Sequence, residues 1–241
     1  IERKHKMKLV IINDQEVRAE TIAKEILSLV KEKPNAVLGL ATGSSPIKTY
    51  QKVIELAKKE NIDFSNVTSF NLDEYINNPD FTQSYRYFMD THLFNFINIK
   101  KENTHFPSLE GLKTYDEEIK KAGGVDLQLL GIGADGHIGF NEPNTPFDSL
   151  THIADLTEKT IQDNSRFFAS IQDVPTQAVT RGRQSIRNAK KIILIATGKN
   201  KALAIEKTFG KVNEATPASL LNRHPDATIY CDEEAASLLK K

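Results

Sequence analysis

Short apolar segments and amphipathic segments alternate along this chain of 241 residues. The apolar segments are rich in Val, Ile and Leu and are bounded by turn-forming residues, which is typical of buried strands. They are Lys8–Ile12, Ala36–Leu40, Val67–Leu72, Leu127–Leu130, Lys191–Ala196 and Ala227–Cys231. Between them, apolar residues recur at helical spacing, mostly with Lys and Glu on the opposite face. The predicted helices are Glu16–Val30, Pro46–Lys59, Ser84–Phe94, Tyr115–Ala122, Lys199–Thr208 and Glu233–Leu239.

This alternation predicts an α/β fold: a three-layer, Rossmann-like, mostly parallel sheet with helices on both faces. We expect one domain over residues 7–241, because no repeat, low-complexity tract or long linker divides the chain. The region 141–183 is the longest stretch without a clear strand, and we expect it to contain a lid over the site. Ligands of such sheets bind beyond the carboxyl ends of the strands, so the loops that follow the strands matter most.

Composition narrows the class of partner. The chain has 32 basic and 32 acidic residues, so no overall field attracts nucleic acid or an anionic membrane. Its single cysteine, Cys231, cannot form an internal disulfide, and no apolar run has the length of a signal core or a transmembrane helix. We therefore expect a cytoplasmic protein with a small-molecule partner. Residues 1–6 precede Met7, and we interpret them as an addition before the native start.

The loop after the second predicted strand places small hydroxyl residues before a proline suited to the first turn of a helix. Backbone N–H groups at a helix N-terminus bind phosphate, and Ser44 or Ser45 can cap the helix while donating to that phosphate. The loop lacks the glycine-lysine-hydroxyl ending of a nucleotide P-loop. On this segment alone, a phosphate site formed by Thr42, Gly43, Ser44 and Ser45 and an ordinary capped helix are equal alternatives.

Two carboxylates, Asp73 and Glu74, follow the third predicted strand. A base that moves a proton between adjacent carbons of a sugar must lose its water and reach both carbons, and a carboxylate at this edge of the sheet meets that need. Acidic residues at strand ends more often cap the next helix or face solvent. Taken alone, the pair favours that structural explanation.

Residues 131–143 carry the densest candidate chemistry, with four glycines, two carboxylates and a histidine after an apolar strand. Gly131, Gly133 and Gly136 fit the spacing of a dinucleotide-binding turn. Such a turn must lead directly into a helix, and a proline inside a helix costs about 3 kcal/mol. Because a glycine and two prolines fall within that would-be helix, the dinucleotide interpretation fails.

Asp135, His137 and Glu142 in this stretch are acid, base or metal-ligand residue types. A metal site is a minor alternative, because only one histidine and no cysteine lie nearby. Acid–base chemistry is favoured, because histidine titrates near neutral pH and the two carboxylates can orient it and stabilise its protonated form. Core packing is a poor explanation for a histidine between loop glycines. We expect neither a metal nor another cofactor.

Together these loops resemble the glucosamine-6-phosphate deaminase family over nearly the whole chain and in the family's order. The resemblance lies in the phosphate loop 38–46, in the motif 71–75 and in the motif 136–143. Residues 164–168 and 199–202 resemble two further segments that supply phosphate-binding cations. The resemblance implies that glucosamine 6-phosphate and water become fructose 6-phosphate and ammonia, by ring opening, aldose–ketose isomerisation and deamination, without a cofactor.

The resemblance also implies roles for individual residues. His137 would move the proton between the anomeric hydroxyl and the ring oxygen, assisted by Asp135 and Glu142. Asp73 would carry the C2 proton to C1. The phosphate would be held by Thr42, Gly43, Ser44, Ser45, Arg166 and Lys201.

The chain departs from the family pattern in both the phosphate loop and the region 181–183. Ser44 and Ser45 stand where glycine and threonine are expected, which keeps one hydroxyl and adds a side chain where the backbone approaches the phosphate. Arg181 and Arg183 flank a glycine whose neighbours in the family are apolar. They are either solvated, as most arginines are, or they change the specificity of the pocket.

Longer members of the family carry an allosteric site with basic residues after the ring-opening motif. His152 and Ala154 stand at those positions in this chain. We therefore expect neither allosteric activation nor the hexamer that accompanies it, and predict a monomer or a small homo-oligomer.

Two other functions share part of this pattern. Another sugar-phosphate isomerase or lactonase would use the phosphate loop but would not need Asp73 and His137 together. A sugar-phosphate sensor of the kind attached to bacterial repressors should carry a helix-turn-helix and a basic face. Residues 1–35 supply one predicted strand and one predicted helix in a neutral chain. The sequence thus favours the deaminase reaction, with no nucleic-acid or membrane partner.

Overall fold

The computed structural model describes residues 7–239. Residues 1–6, which we interpreted as an addition before the native start, lie outside the described residues, as do residues 240 and 241. The described chain forms ten β-strands, which are β1 (Lys8–Ile11), β2 (Val37–Leu40), β3 (Thr68–Asn71), β4 (Asp73–Tyr75), β5 (Thr104–His105), β6 (Leu127–Leu130), β7 (His152–Asp155), β8 (Gln177–Thr180), β9 (Lys191–Ala196) and β10 (Ala227–Cys231). Its seven α-helices are α1 (Gln15–Glu32), α2 (Ile47–Glu60), α3 (Tyr85–His92), α4 (Tyr115–Lys121), α5 (Glu158–Asn164), α6 (Arg183–Arg187) and α7 (Ala202–Thr208).

Seven strands form one sheet in the order β1-β10-β9-β6-β2-β3-β5, and every neighbouring pair is parallel. This confirms the predicted parallel sheet and all six predicted strands, each to within one residue at either end. The sequence pattern missed the edge strand β5, which has only two residues and therefore too few positions to show a period.

Helices cover both faces of this sheet, as predicted. Successive residues of β9 alternate between two apolar cores, with Ile192 and Leu194 in one and Ile193 and Ile195 in the other. Helices α1, α2 and α3 bury their apolar stripes in the second core, and α4, α6 and α7 bury theirs in the first. The result is the three-layer α/β architecture.

A second sheet lies within and beside the region 141–183. Strands β4, β8 and β7 form it in that order, and both pairs are antiparallel. The expectation that this region lacks strands was therefore wrong. Strand β7 escaped notice because three of its four residues are not buried, so it lacks the apolar run of a core strand. Helices α5 and α6 also lie in this region and were not predicted.

The predicted helix Glu233–Leu239 is also wrong. This segment forms successive turns, with hydrogen bonds such as Ala236 N to Asp232 O at 3.2 Å and Leu239 N to Ala236 O at 3.0 Å. Bonds between residues three apart, such as Ser237 N to Glu234 O at 3.3 Å, interrupt the run of bonds four apart that an α-helix requires. The other five predicted helices are present, although Lys199–Thr208 begins as a 3-10 turn before α7. No helix of residues 7–239 is long and apolar enough to cross a bilayer.

At Gly182, just after β8, the chain passes close to residues 149 and 150, which follow the glycine-rich loop (residues 131–143). A Cβ placed on Gly182 would lie well inside van der Waals contact of the carbonyl oxygens of Ser149 and Leu150, which are backbone atoms. We expect Gly182→Ala to lower the free energy of unfolding by about 1–3 kcal/mol, because overpacked backbone must move apart. Chemical denaturation measures this change.

Gly111→Ala is a matched control for this substitution. A Cβ on Gly111 would have the Ser108 hydroxyl as its nearest neighbour, at 3.1 Å. A change within about 0.5 kcal/mol is expected there. Equal midpoints for the two variants would contradict the close crossing at Gly182.

Candidate active site

The loops singled out from the sequence meet at the carboxyl ends of neighbouring strands. Strand β6 lies between β9 and β2, and β3 lies on the other side of β2. The chain leaving β2 forms the Thr42–Ser45 loop, and the chain leaving β6 forms the glycine-rich loop. Their proximity therefore follows from the strand order.

Asp73 follows the third strand, as predicted, and it also begins β4 of the small sheet, which was not predicted. Its residue partner across the antiparallel ladder is Thr180, in β8. Asp73 is 8% exposed, and burial, followed by the charge of Glu74, raises the pKa of its carboxyl group to about 8. A desolvated carboxylate of this kind is a strong base when it is ionised.

The neighbouring Glu74 has a structural role. Its carboxylate accepts hydrogen bonds from the backbone N–H groups of Tyr85 and Arg86, each at 3.0 Å. These two residues form the first turn of α3, so Glu74 satisfies donors that the helix leaves free. The two adjacent carboxylates therefore differ in role. Glu74 caps a helix, whereas Asp73 is buried and accepts no hydrogen bond from a helix N-terminus within residues 7–239.

The His137 ring is held by Asp135. Nδ1 of His137 lies 2.6 Å from Oδ1 of Asp135, which also accepts from the His137 backbone N–H at 3.1 Å. Burial opposes ionisation of Asp135, but the hydrogen bonds and charge of His137 outweigh it and hold the pKa of that carboxyl below its usual value. The ring lies against Gly133, where a Cβ would collide with it. The other ring nitrogen, Nε2, remains available to a substrate.

Glu142 completes this cluster. The ligand-type atoms of Asp135, His137 and Glu142 all lie within 4.8 Å of one another. Burial raises the pKa of Glu142, and the charge of His137 only partly offsets that effect. These groups supply one histidine nitrogen and two carboxylates, whereas tight transition-metal sites are richer in histidine nitrogen and cysteine sulfur. The cluster is better suited to proton transfer.

The glycine-rich loop (residues 131–143), which carries Asp135, His137 and Glu142 and which we call the acid–base loop, lies beside Asp73. Gly139 of this loop is the residue in contact, since a Cβ on it would lie 3.7 Å from Oδ2 of Asp73 and 3.0 Å from Oγ1 of Thr180. The Thr180 hydroxyl accepts from the N–H of Phe140 at 3.2 Å. Asp73 and the loop that carries His137 are therefore neighbours, although they are distant in the sequence.

Asn141 and Thr180 were not assigned roles from the sequence, yet they fix this loop. Asn141 is fully buried and donates from Nδ2 to the carbonyl oxygens of Ile138 at 2.9 Å and Arg181 at 2.8 Å. A structural role for Asn141 could have been inferred from the sequence, because it is a polar residue inside an unusual loop. Thr180 gave no local signal, because its position depends on the pairing of β8 with β4.

The Thr42–Ser45 loop leads into α2, as predicted, but neither serine caps that helix. Helix α2 begins at Ile47 with Pro46 as its N-cap, and no side chain accepts from its first turn. The N–H of Ile47 donates to the carbonyl oxygen of Ser44 at 3.4 Å, whereas those of Lys48 and Thr49 have no acceptor within residues 7–239 and remain available to an anion. The Tyr50 hydroxyl donates to the carbonyl oxygen of Ala41 at 2.5 Å and so anchors the base of the loop.

Of the two predicted phosphate-binding cations, Lys201 lies at the site. Its Nζ donates to the carbonyl oxygen of Ile132 at 2.6 Å, and burial lowers its pKa although the charge of Asp135 opposes that effect. Ser45 reaches the same loop, because a Cβ on Gly131 would lie 3.6 Å from its hydroxyl oxygen. The phosphate loop, the acid–base loop and Lys201 are thus contiguous.

Arg166 is not brought into this group. It is exposed, its guanidinium lies 4.6 Å from the ring centre of its neighbour Phe167, and its side chain forms no hydrogen bond or ion pair with residues 7–239. The segment itself lies near the site, because Asn164 donates to the hydroxyl of Tyr75 at 3.2 Å.

Arg181 and Arg183 are both fully buried, so the interpretation that they are solvated is wrong. Arg181 is hydrogen bonded to the Gln128 side chain and to Ser185, whose hydroxyl it reaches at 3.0 Å. Arg183 donates to the carbonyl oxygens of Glu142 at 3.4 Å and Glu214 at 2.6 Å. Arg183 therefore holds the backbone of a candidate catalytic residue.

His152 and Ala154 lie in β7. Nδ1 of His152 is 2.7 Å from the carbonyl oxygen of Leu150, so this ring is occupied by a local contact. The predicted loss of an allosteric cation site remains a prediction.

Known proteins resemble this chain in sequence and in fold. Residues 15–230 match a family model described as glucosamine-6-phosphate isomerases/6-phosphogluconolactonase. Among similar proteins, glucosamine-6-phosphate deaminase of Thermoanaerobacter pseudethanolicus is 53% identical, covering 97% of this chain and 95% of the relative. The enzyme of the same name from Mycoplasma mycoides is 52% identical, covering 97% and 98% respectively.

Solved structures agree with this relationship. A structure described as a monomeric glucosamine-6-phosphate deaminase is 43% identical, covers 96% of this chain and 100% of its own, and superposes with a TM-score of 0.90. A 6-phosphogluconolactonase from Trypanosoma cruzi has a TM-score of 0.75 at 17% identity, which shows a common fold alone. The chain belongs to the family of glucosamine-6-phosphate isomerases and 6-phosphogluconolactonases.

Proposed function

We propose that this protein converts glucosamine 6-phosphate and water to fructose 6-phosphate and ammonia. The observation that best supports this proposal is the buried Asp73 carboxyl, which lies beside the loop that contains His137. A lactonase reaction needs no proton transfer between carbons, so it would not explain a carboxyl with a pKa raised to about 8 at this position. The relatives at about half identity that carry the deaminase name support the same choice.

In this proposal the first step opens the sugar ring. Nε2 of His137 takes the proton from the anomeric hydroxyl and returns a proton to the ring oxygen as the C1–O5 bond breaks. Asp135 holds the ring through Nδ1 and stabilises the imidazolium that forms in between. Glu142, in the same cluster, assists these transfers. The product of the step is the open-chain aldehyde.

Asp73 then moves the carbon-bound proton. Its carboxylate removes the proton from C2, which gives an enol-type intermediate, and returns the proton to C1. The nitrogen at C2 becomes an imine, water adds to that carbon, and ammonia leaves to give the C2 ketone. The same carboxyl group must reach both carbons, and its burial keeps most water away from the reacting carbons.

Phosphate binding anchors the far end of the substrate. We assign this role to the loop Thr42, Gly43, Ser44 and Ser45, whose free helix N–H groups favour an anion, together with Lys201. Arg166 would join them through movement of the segment around α5, which fits the proposed lid within residues 141–183. This substrate is a small molecule, and the relative described as monomeric supports a monomer or a small homo-oligomer.

The test is a single assay. Purified protein with glucosamine 6-phosphate should release ammonia and fructose 6-phosphate in equal amounts without added metal, each measured by a coupled enzyme. Hydrolysis of 6-phosphogluconolactone is the control reaction. Lactone hydrolysis with no ammonia from the amino sugar would overturn the proposal.

A further inference from the structure

A polar cavity of about 190 Å³ lies between the first turns of α1 and α2, beside the end of β9. Arg18, Ser44, Lys48, Thr49 and Thr197 contribute polar groups to its walls, and its floor is apolar. The proposed mechanism uses the loop that contains Ser44 but gives no role to Arg18, Thr49 or Thr197.

The cavity and the acid–base cluster lie on opposite faces of the large sheet. Ile195 lines the cavity and belongs to the core packed beneath α1 and α2. Ile138, next to His137, belongs to the core of the other face. The Thr42–Ser45 loop passes between them, since Ser45 lines the cavity and also approaches the loop after β6. The proposed phosphate loop is therefore a wall shared by two separate spaces.

Arg18 is the most buried charged group of the cavity, with 7% of the residue exposed. Its Nη1 donates to the carbonyl oxygens of Ile12 at 2.6 Å and Asn13 at 3.5 Å, which fixes the guanidinium. Nε and Nη2 have no hydrogen-bond partner within residues 7–239, and neither is among the nitrogens sealed in the core. A nearly buried cation with a fixed guanidinium thus offers free donors to the cavity that it lines.

Other donors of the walls are equally uncommitted. The hydroxyl groups of Ser44, Thr49 and Thr197 form no hydrogen bond with the described part of the chain, although Thr49 is only 2% exposed. Lys48 adds a second positive charge, and its Nζ lies 2.5 Å from Glu16 at the cavity's outer side. Free hydroxyl groups beside positively charged side chains are suited to binding an oxyanion.

The two nearby carboxylates lie outside the cavity walls, and one of them, Glu16, is paired with Lys48 of the wall. Asp14 accepts from the N–H of Val17 at 3.0 Å, and Glu16 is also bound by Lys52 at 2.8 Å. Neither carboxylate lines the cavity, whose walls therefore carry two cations and no acidic residue. Because α1 and α2 both begin here, the positive ends of two long helices add to that field.

We propose that this cavity is a second anion site, which binds inorganic phosphate or the phosphate group of a phosphomonoester. Its donors suit a tetrahedral dianion: the planar guanidinium of Arg18, the ammonium of Lys48 and several hydroxyl groups. Ser44, which stands where the family pattern has glycine, supplies one of those hydroxyls. An anion in this cavity weakens binding of a second one at the phosphate loop, because the two like charges face each other across one short loop.

Calorimetric titration of the full chain with inorganic phosphate, at constant ionic strength, tests this site without any turnover. Two phosphates per chain are expected for the unsubstituted protein. Arg18→Met and Lys48→Met should each lose one of them or weaken its binding at least tenfold. Lys201→Met should keep the cavity phosphate and lose the other, so failure of the proposed function and failure of this proposal are distinguishable.

Two results would overturn the second site: a single phosphate that fructose 6-phosphate displaces and that Arg18→Met leaves unchanged, or two phosphates in both cavity variants. Circular dichroism checks folding, and if Arg18→Met does not fold, Lys48→Met decides, since its side chain is 32% exposed. Titration with glycerol phosphate distinguishes a site for phosphomonoesters from a site for inorganic phosphate. Binding of the ester at the cavity assigns it to phosphomonoesters, and binding of inorganic phosphate alone assigns it to the free ion.

Discussion

Replacement of Asp73 by Asn is expected to lower kcat by about 10⁴-fold, at the upper end of what an acid–base group contributes. The amide keeps the size of the carboxyl group but cannot accept a proton from carbon. Binding of the sugar phosphate should persist, because the phosphate contacts lie elsewhere. Exchange of the C2 proton with deuterated solvent measures this step directly and should vanish. Full turnover by Asp73→Asn would refute the proposed reaction.

The raised pKa of Asp73 predicts how the rate of C2 proton exchange depends on pH. Because burial and the charge of Glu74 raise that pKa to about 8, the ionised base is more abundant as pH rises, and C2 exchange should increase up to about pH 8. Glu74→Gln removes the neighbouring charge and should move this rise to lower pH while retaining turnover. An unshifted profile would contradict the assignment of that pH dependence to Asp73.

Asp73→Asn should also stabilise the protein. The native carboxyl titrates near 8 and the unfolded one near its ordinary value, so between those values the native state binds more protons and stability falls as pH rises, by about 1.4 kcal/mol per unit. The amide does not titrate. Its advantage in unfolding temperature should therefore be small near pH 4 and greatest near pH 8, which thermal denaturation at several pH values checks.

Replacement of His137 by Gln should lower turnover of the cyclic substrate by about 10²-fold or more, because the ring-opening step loses its proton carrier. The loss should be much smaller for a 4,5-dideoxy analogue, which has no hydroxyl group that can close a five- or six-membered ring. The measured quantity is the ratio of kcat/KM between the unsubstituted protein and the variant, for each substrate. Equal ratios would show that His137 acts after ring opening.

His152→Gln is the matched control for this variant. His152 lies in β7, and its ring contacts the carbonyl oxygen of Leu150 rather than the acid–base cluster. It should retain both activities. A comparable selective loss for this variant would point to a general effect of removing a histidine.

The local pattern of the chain was enough for the main features of the fold. Strands such as Leu127–Leu130 and Lys191–Ala196 are buried on both faces, so their apolar runs mark them without help from distant residues. The strands of the small sheet lack that signature, and the pairing of β4 with β8 and of β8 with β7 joins segments far apart in sequence. No local period could predict those pairs.

The sequence by itself determined the chemical groups of the candidate site. Asp73, Asp135, His137 and Glu142 come after predicted strands, at the edge where a parallel sheet presents its ligand site. Only the tertiary structure decided which groups are free to act. It assigned Glu74 to the first turn of α3 and left Asp73 buried beside Gly139.

The same distinction applies to the cations. The sequence marked Arg181 and Arg183 as unusual but could not tell solvent from core, because burial depends on what the rest of the chain packs around a side chain. Arg18 gave no signal, since an arginine on an amphipathic helix is ordinary. Its directed donors became visible only when α1, α2 and β9 were brought together around one cavity. Residue type is a local property, whereas the free energy of a charge depends on its complete surroundings.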